Sequence, residues 1–352
     1  MRLASLACDA PPIVPRPMTS GRIVRRIAVA MGLVISLGAM TGTVQAGNAH
    51  SSRPGGIFVF DAAGNAVNAV AEVLSGPFPH QDVQGFDWTV AWANLEPASG
   101  NYQWSVLDKA VAAATNAGFT SQITVLPGTF APGWVIAACP QVTVTLLHTQ
   151  KVVTIAVPTS TCFLADWTTF IAALGAHLAT ASGVTSVQAS GLGDQGEMTL
   201  SPTTSGTWAD VGVTTASLLA GWKQVLTMWR TSLPASMPAA LAIEEPLGIG
   251  VSNVLAPLIP WVHLHFKSKV WVQQNALRAT TPETSGYWPI LKHASRWTDT
   301  GWQMFGYGTE NGDLQTAFGI GLASHARYFQ VYLADVVDPA QTAALEYLAA
   351  RL

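Results

Sequence analysis

Past residue 46 this chain of 352 residues has only two cysteines, few basic side chains and no long hydrophobic stretch. Each shortage excludes something. Without a run of about 20 apolar residues, that part of the chain has no sequence able to span a bilayer as a helix. Five of the 17 Lys and Arg residues and one of the 20 acidic residues precede residue 47, leaving 12 basic against 19 acidic side chains and a net charge of −7. That balance argues against nucleic acid as a partner. The chain shows no internal repeat and no low-complexity tract, and it lacks a Gly-rich phosphate loop, a Gly-x-Ser-x-Gly elbow and a catalytic-cysteine pattern. His263 and His265 alternate before the predicted sixth strand with no third ligand at metal-like spacing. No metal and no other cofactor is therefore expected.

What is present starts at the N-terminus. Arg22-Ile23-Val24-Arg25-Arg26, the apolar run from Ile27 to Met40 and then Val44-Gln45-Ala46 follow the order of a basic region, a hydrophobic region and a small-residue cleavage site. This predicts a signal peptide cut after Ala46 and a secreted or periplasmic protein. The residues before Met18 fit no part of such a peptide, which points to Met18 as the start. Residues 1–46 are read as leader and 47–352 as one domain, off the membrane after cleavage. In an oxidising compartment Cys139 and Cys162 pair most simply as a disulfide.

Eight short apolar runs read as strands: Ile57 to Phe60, Gly85 to Ala91, Ser121 to Leu126, Val184 to Ala189, Ala239 to Ile243, Lys269 to Gln273, Trp302 to Tyr307 and Tyr328 to Leu333. Continuous apolar character suits parallel strands buried on both faces. Between them lie patterns of period near 3.6, such as Val106, Leu107, Ala110, Val111 and Ala114 before Gly118, and Leu218, Leu219, Trp222, Val225, Leu226 and Trp229. The expected fold is an α/β (β/α)8 barrel, although a doubly wound open sheet shows the same alternation. One insertion breaks the pattern after the third strand. Val142 to Leu147 and Val152 to Val157 flank His148-Thr149-Gln150-Lys151 as a hairpin, clipped across 139–162 by the two cysteines. Its role is open between a wall or lid for a cleft and a stapled decoration.

In such a barrel the C-terminal strand ends share one mouth. Glu197 follows the fourth strand in Gly191-Leu192-Gly193-Asp194-Gln195-Gly196-Glu197, and Glu310 follows the seventh in Gly306-Tyr307-Gly308-Thr309-Glu310. Two opposed carboxyl groups, one protonated and one ionised, are what cleavage of a glycosidic bond requires. Glu310 needs donors to stay ionised, for which Tyr307, Gln273, Asn275 and Arg278 are candidates, the first three being placed as substrate-binding residues as well. Glu244 and Glu245 follow the fifth strand, and either is an alternative catalytic group, Glu245 otherwise binding substrate. Asp87 and Asp335, at the ends of the second and eighth strands, are placed as ligands of sugar hydroxyls. Glu96 is read as structural. Among 13 tryptophans, Trp88, Trp92, Trp134, Trp208 and Trp302 fall near strand ends and could stack on sugar rings, while Trp222 and Trp229 lie on a helical stripe and belong to the core.

The stretch Trp92-Ala93-Asn94-Leu95-Glu96-Pro97, followed by Gly100-Asn101-Tyr102-Gln103-Trp104 and Leu107-Asp108, resembles the second strand and following helix of clan A glycoside hydrolases, especially the β-galactosidase-type family. Val125 to Trp134 is similar to that clan's third strand, where a Pro-x-Trp segment lines the subsite. The resemblance covers residues 85 to 135. It implies an acid/base at Glu197, a nucleophile at Glu310, a retaining mechanism and a carbohydrate substrate. Gly196 departs from the clan's pattern, which has Asn before its acid/base, and the glycine-rich run looks more like the fourth-strand loop of β-amylases, which are inverting. Two rivals therefore stand beside a retaining glycosidase: an inverting enzyme with a different base, and a non-catalytic barrel that binds carbohydrate or a surface partner.

Overall fold

The computed structural model describes residues 55–147, 149–244 and 253–352. The leader and Glu245 lie outside the described residues. In chain order the strands are β1 (Gly56–Ala62), β2 (Val83–Ala91), β3 (Thr120–Leu126), β4 (Gln141–Thr145), β5 (Val152–Ala156), β6 (Val184–Gln188), β7 (Ala239–Ala242), β8 (Val270–Leu277), β9 (Thr300–Met304) and β10 (Tyr328–Tyr332). All but β4 and β5 are parallel and close into an eight-stranded barrel, with β1 pairing both β2 and β10. The expected barrel is thus the observed one. Every strand bound that moves does so by one or two residues except at two strand ends. The seventh barrel strand, β9, ends at Met304 rather than Tyr307, and the sixth, β8, runs on to Leu277 through a break in register between Gln274 and Leu277. His263 and His265 sit in the last turn of a helix, Leu255–Phe266, not on an extended segment. Among the described residues no helix is long and apolar enough to cross a membrane.

The barrel interior is layered. Near the strand starts Phe58, Ala240, Trp271 and Tyr328 form an apolar plug, with ring centroids 4.6 Å apart for Phe58–Tyr328 and 4.5 Å for Trp271–Tyr328. Gly301 on β9 makes room for it, since a Cβ there would lie 2.7 Å from the Trp271 ring. One step along the strands the inward residues turn polar: Asp87, Gln122, Thr124, Ser186, Gln273 and Gln330, all buried. Outside the barrel, alternate strand residues pack under the helices. Phe86 stacks on Trp88 at 4.5 Å, and Trp92 packs on Trp167 at 4.8 Å. Trp222 and Trp229 are buried on the helix Thr215–Ser232, as their stripe predicts. Another helix, Ser105–Asn116, buries Leu107, Ala110, Val111 and Ala114 and is followed by Gly118 at φ +87°, where Phe119 N–H returns to Ala114 O at 3.0 Å.

The strands β4 and β5 pair antiparallel, Gln141 opposite Ala156 and Thr145 opposite Val152. The Cys139–Cys162 disulfide closes across their base with a Cα separation of 5.5 Å. The pair is braced against the segment after Glu197. Thr145 N–H donates to Pro202 O at 2.9 Å, Thr204 N–H to Thr143 O at 2.9 Å, and Leu147 N–H to the Ser201 hydroxyl at 3.2 Å. Bridging residues 23 apart removes about 3 kcal/mol of unfolded-state entropy in the chain-entropy model. Thiol labelling of the denatured, unreduced protein lacking its leader should therefore find no free cysteine, and reduction should lower the melting temperature. Two labelled thiols per chain would contradict this.

Candidate active site

Glu197 is set by a loop that the sequence builds from glycine. Gly191 N–H donates to Gly196 O at 2.7 Å and Asp194 N–H to Thr199 O at 3.0 Å, so the chain from Ser190 to Thr199 folds on itself. Gly196 has φ +98°, and a Cβ at Gly193 would lie 1.8 Å from the carbonyl oxygen of Glu197. Neither position tolerates a side chain. The base of the loop is pinned by two indoles, because Trp167 and Trp229 donate to Ser190 O at 3.2 and 2.9 Å. Glu197 emerges half-buried at the C-terminal end of the barrel.

Three elements meet there. Asn275 on β8 donates its side-chain N–H to Glu197 Oε1 at 2.5 Å. The adjacent residue Gln274 donates to Glu244 Oε1, just past β7, at 2.7 Å. Consecutive strand residues normally face opposite ways. The register break in β8, where Ala276 N–H turns onto Gln274 Oε1 at 2.8 Å, brings both amides to the mouth. Burial raises the Glu197 carboxyl above its ordinary range, against the Asn275 bond. Burial and then the charge of Glu197 push Glu244 up to about 8, opposed by bonds from Tyr287, Gln274 and the Asn275 backbone. Glu197 and Glu244 are therefore coupled carboxyl groups.

Beneath them lies Asp87. It accepts from Thr124 Oγ at 2.8 Å, from Gln122 at 3.3 Å and from Gln330, and burial lifts its carboxyl to about 7. Being 0 % exposed, it corrects the expectation of a sugar ligand: Asp87 belongs to the interior polar layer. Gln273 is likewise fully buried, and its contacts are Asn275 and Gln330 rather than a substrate face. Trp88, Trp92 and Trp302 are each 0 % exposed and face the helices, bonding Ser121, Glu96 and Ser324 through their indole N–H groups. Trp208 is buried too, on Ser201 O. These four tryptophans are core. Glu96 is structural, as expected, taking bonds from Trp92 and from Gly100 N–H at 2.8 Å each.

The remaining candidates lie apart. Trp134 is half-buried, its indole on Glu96 O at 3.2 Å. Tyr307 is 45 % exposed, its ring 6.1 Å from that of Tyr332. Glu310 accepts from Tyr307 N–H at 3.4 Å, capping its own 3-10 turn Gly308–Asn311. Asn275, expected to serve Glu310, bonds Glu197 instead. Asp335 is buried, accepts from Gly308 N–H at 2.7 Å and Asn311 at 3.2 Å, and so holds the Glu310 turn instead of reaching a sugar.

A small cavity of about 40 Å³ adjoins Glu197, lined by Leu146, Leu147, Asp194, Gln195, Thr199 and Ser201. A far larger one, about 760 Å³, opens at the strand starts beside Gly56, Gln84, Thr120 and Arg327. In this fold chemistry is carried at the opposite end, so its size does not make it the active site. Sequence reading missed Asp194, Gln274, Gln122, Thr124 and Gln330. The available signal was Gln or Thr at inward positions of strands otherwise apolar.

A family model described as Beta-galactosidase matches residues 83–190, which run from β2 to the start of the Glu197 loop. No curated protein matches the chain. Among solved structures it is similar to the catalytic domain of beta-amylase from Paenibacillus polymyxa, at 10 % identity and a TM-score of 0.61 over 85 % of this chain and 99 % of that one. It is also similar to GH5_18 from Streptomyces cattleya in complex with GlcNAc, at 12 % identity and a TM-score of 0.51 over 86 % and 81 %. The exo-beta-1,4-mannosidase Op5Man5 from Opitutaceae bacterium strain TAV5 gives 10 % identity and a TM-score of 0.51, covering 86 % of this chain and 60 % of its own. At these identities the likeness shows the fold.

Proposed function

We propose that this chain is a glycoside hydrolase of the clan A type, acting on an oligo- or polysaccharide with Glu197 as its acid/base. The observation that carries the reading is the place of Glu197: half-buried at the C-terminal mouth, after the fourth barrel strand, with its proton affinity raised by burial. A general acid must hold its proton near neutral pH and release it to the leaving oxygen. Glu310, after the seventh barrel strand, is the second carboxylate and the nucleophile of a retaining mechanism. Its bond to Tyr307 N–H is long at 3.4 Å, and rotation out of that cap costs little. Trp134 and Tyr307 are the aromatic groups left to stack on a sugar face. Export fits the leader read in residues 1–46 and a disulfide formed in an oxidising compartment.

One observation favours a second assignment of the acid. Burial and then the charge of Glu197 push the Glu244 carboxyl up to about 8, whereas Asn275 donates to Glu197 and favours its ionised form. In that version Glu244 protonates the leaving group and Glu197 is the ionised partner. Function is tested by incubating the leaderless protein with a panel of oligosaccharides of differing sugars and linkages and measuring new reducing ends. At least one should be cleaved. A protein that binds a member of the panel and cleaves none would be the non-catalytic barrel.

A further inference from the structure

A chain of side-chain amides joins Glu197 to the buried Asp87. Asn275 Nδ2 donates to Glu197 Oε1, Gln273 Nε2 donates both to Asn275 Oδ1 at 2.7 Å and to Gln330 Oε1 at 2.6 Å, and Gln330 Nε2 donates to Asp87 Oδ2. Its two ends, when ionised, can only accept. Four links between two accepting ends need four donor hydrogens but only two amide oxygens. With three amides in between, one must donate in both directions and leave its own oxygen without a partner. Gln273 is that residue: its Oε1 is buried and unbonded.

Adding one proton at Glu197 removes the mismatch. A protonated Glu197 can donate to Asn275 Oδ1 once that amide turns over. Gln273 can then swing Oε1 toward Asn275 Nδ2 while Nε2 stays on Gln330, and every link runs head to tail into Asp87. No acceptor is left unpaired. An unmade buried hydrogen bond is costly, so relieving it favours the protonated acid. The Asp87 end is held as an acceptor by Thr124 and Gln122, which also donate into it. Among the described residues the other titratable groups facing the chain or Glu197 are Asp87 from β2, Asp194 from the Glu197 loop, Glu244 past β7 and Tyr328 on β10, whose hydroxyl accepts from Gln330 at 3.0 Å.

We propose that Asn275 and Gln273 form an amide relay whose direction depends on the Glu197 proton and which holds that proton on the acid. They are positioning residues, acting through Glu197. Its catalytic meaning rests on Glu197 being the acid, but its test needs no turnover. In leaderless protein carrying ¹³C-carboxyl glutamate, with the Glu197 signal assigned from Glu197→Gln, Gln273→Met should lower the titration midpoint of Glu197 by about one pH unit. Methionine fills the same volume but breaks the chain: Gln330 Oε1 then lacks its donor in both states of Glu197 and one end of the Asn275 amide is unpaired in either, so protonating Glu197 no longer relieves a stranded group. A midpoint that stays put or rises overturns the relay. A purely structural defect would lower activity at every pH and leave the midpoint alone, which also overturns it. If Gln273→Met does not fold, the unmutated protein decides: the Asn275 side-chain amide protons should shift with the Glu197 midpoint, and resonances constant through it overturn the proposal. Absence of glycosidase activity together with a shifted midpoint would retire the function and leave the relay.

Discussion

Glu197→Gln is expected to cut hydrolysis of an oligosaccharide by at least ~10²-fold while sparing a substrate with an activated aryl leaving group, because general acid catalysis contributes about 10² to 10⁴ and a good leaving group needs no proton. Glutamine keeps the shape of Glu197 and can still meet the Asn275 amide through its own oxygen, so the loop pinned by Trp167 and Trp229 should stand. The pH dependence follows from sign. The acid works while protonated, so activity through it is lost as pH rises past the elevated Glu197 value, and burial shifts that limb upward. Equal losses on both substrate types would remove Glu197 from proton donation. Glu244→Gln is the paired variant, and if it alone shows the leaving-group pattern, Glu244 is the acid.

Glu310→Ala should lose activity on every leaving group alike, by more than the ~10²-fold minimum for a missing acid or base, since no covalent intermediate can form. Added azide should restore turnover and give a glycosyl azide of the configuration opposite to the substrate. The helix Leu314–Ala323 keeps its own cap, Asp313 accepting from Thr316 N–H, so the change stays local to the short turn. Activity within tenfold of the unmutated protein would take Glu310 out of the mechanism. It would also leave the inverting alternative in possession, with a water activated by another carboxylate.

The strand count and the Glu197 loop were legible in the sequence because both follow from local constraints. Short apolar runs repeat eight times, and glycines at 191, 193 and 196 stand where the structure leaves no room for a side chain or needs a positive φ. Tryptophan placement was not legible. In a barrel strand both faces are buried, so neither hydrophobicity nor period separates the inward Asp87 from the outward Trp88 beside it. Trp302 was misread for a second reason: β9 begins at Thr300, which puts that residue mid-strand under Ser324 and not at the mouth. Asn275 was read as a donor to Glu310, whereas it bonds Glu197. The irregularity in β8 that aims it at Glu197 depends on a backbone turn onto Gln274, and no spacing rule announces it. Glu310 and Asp335 were placed at strand ends as nucleophile and sugar ligand, whereas the bonds they make are to the Gly308–Asn311 turn.

The central claim, hydrolysis of a glycosidic bond with Glu197 as acid, is tested most directly by following the anomeric protons of a cleaved oligosaccharide by NMR with the unmutated protein and with Glu197→Gln. The account predicts that the unmutated protein releases a sugar whose first-formed anomer keeps the configuration of the bond broken, and that Glu197→Gln releases none on the same timescale. Cleavage at equal rates by both proteins, or no cleavage of any glycoside by the unmutated one, would contradict it.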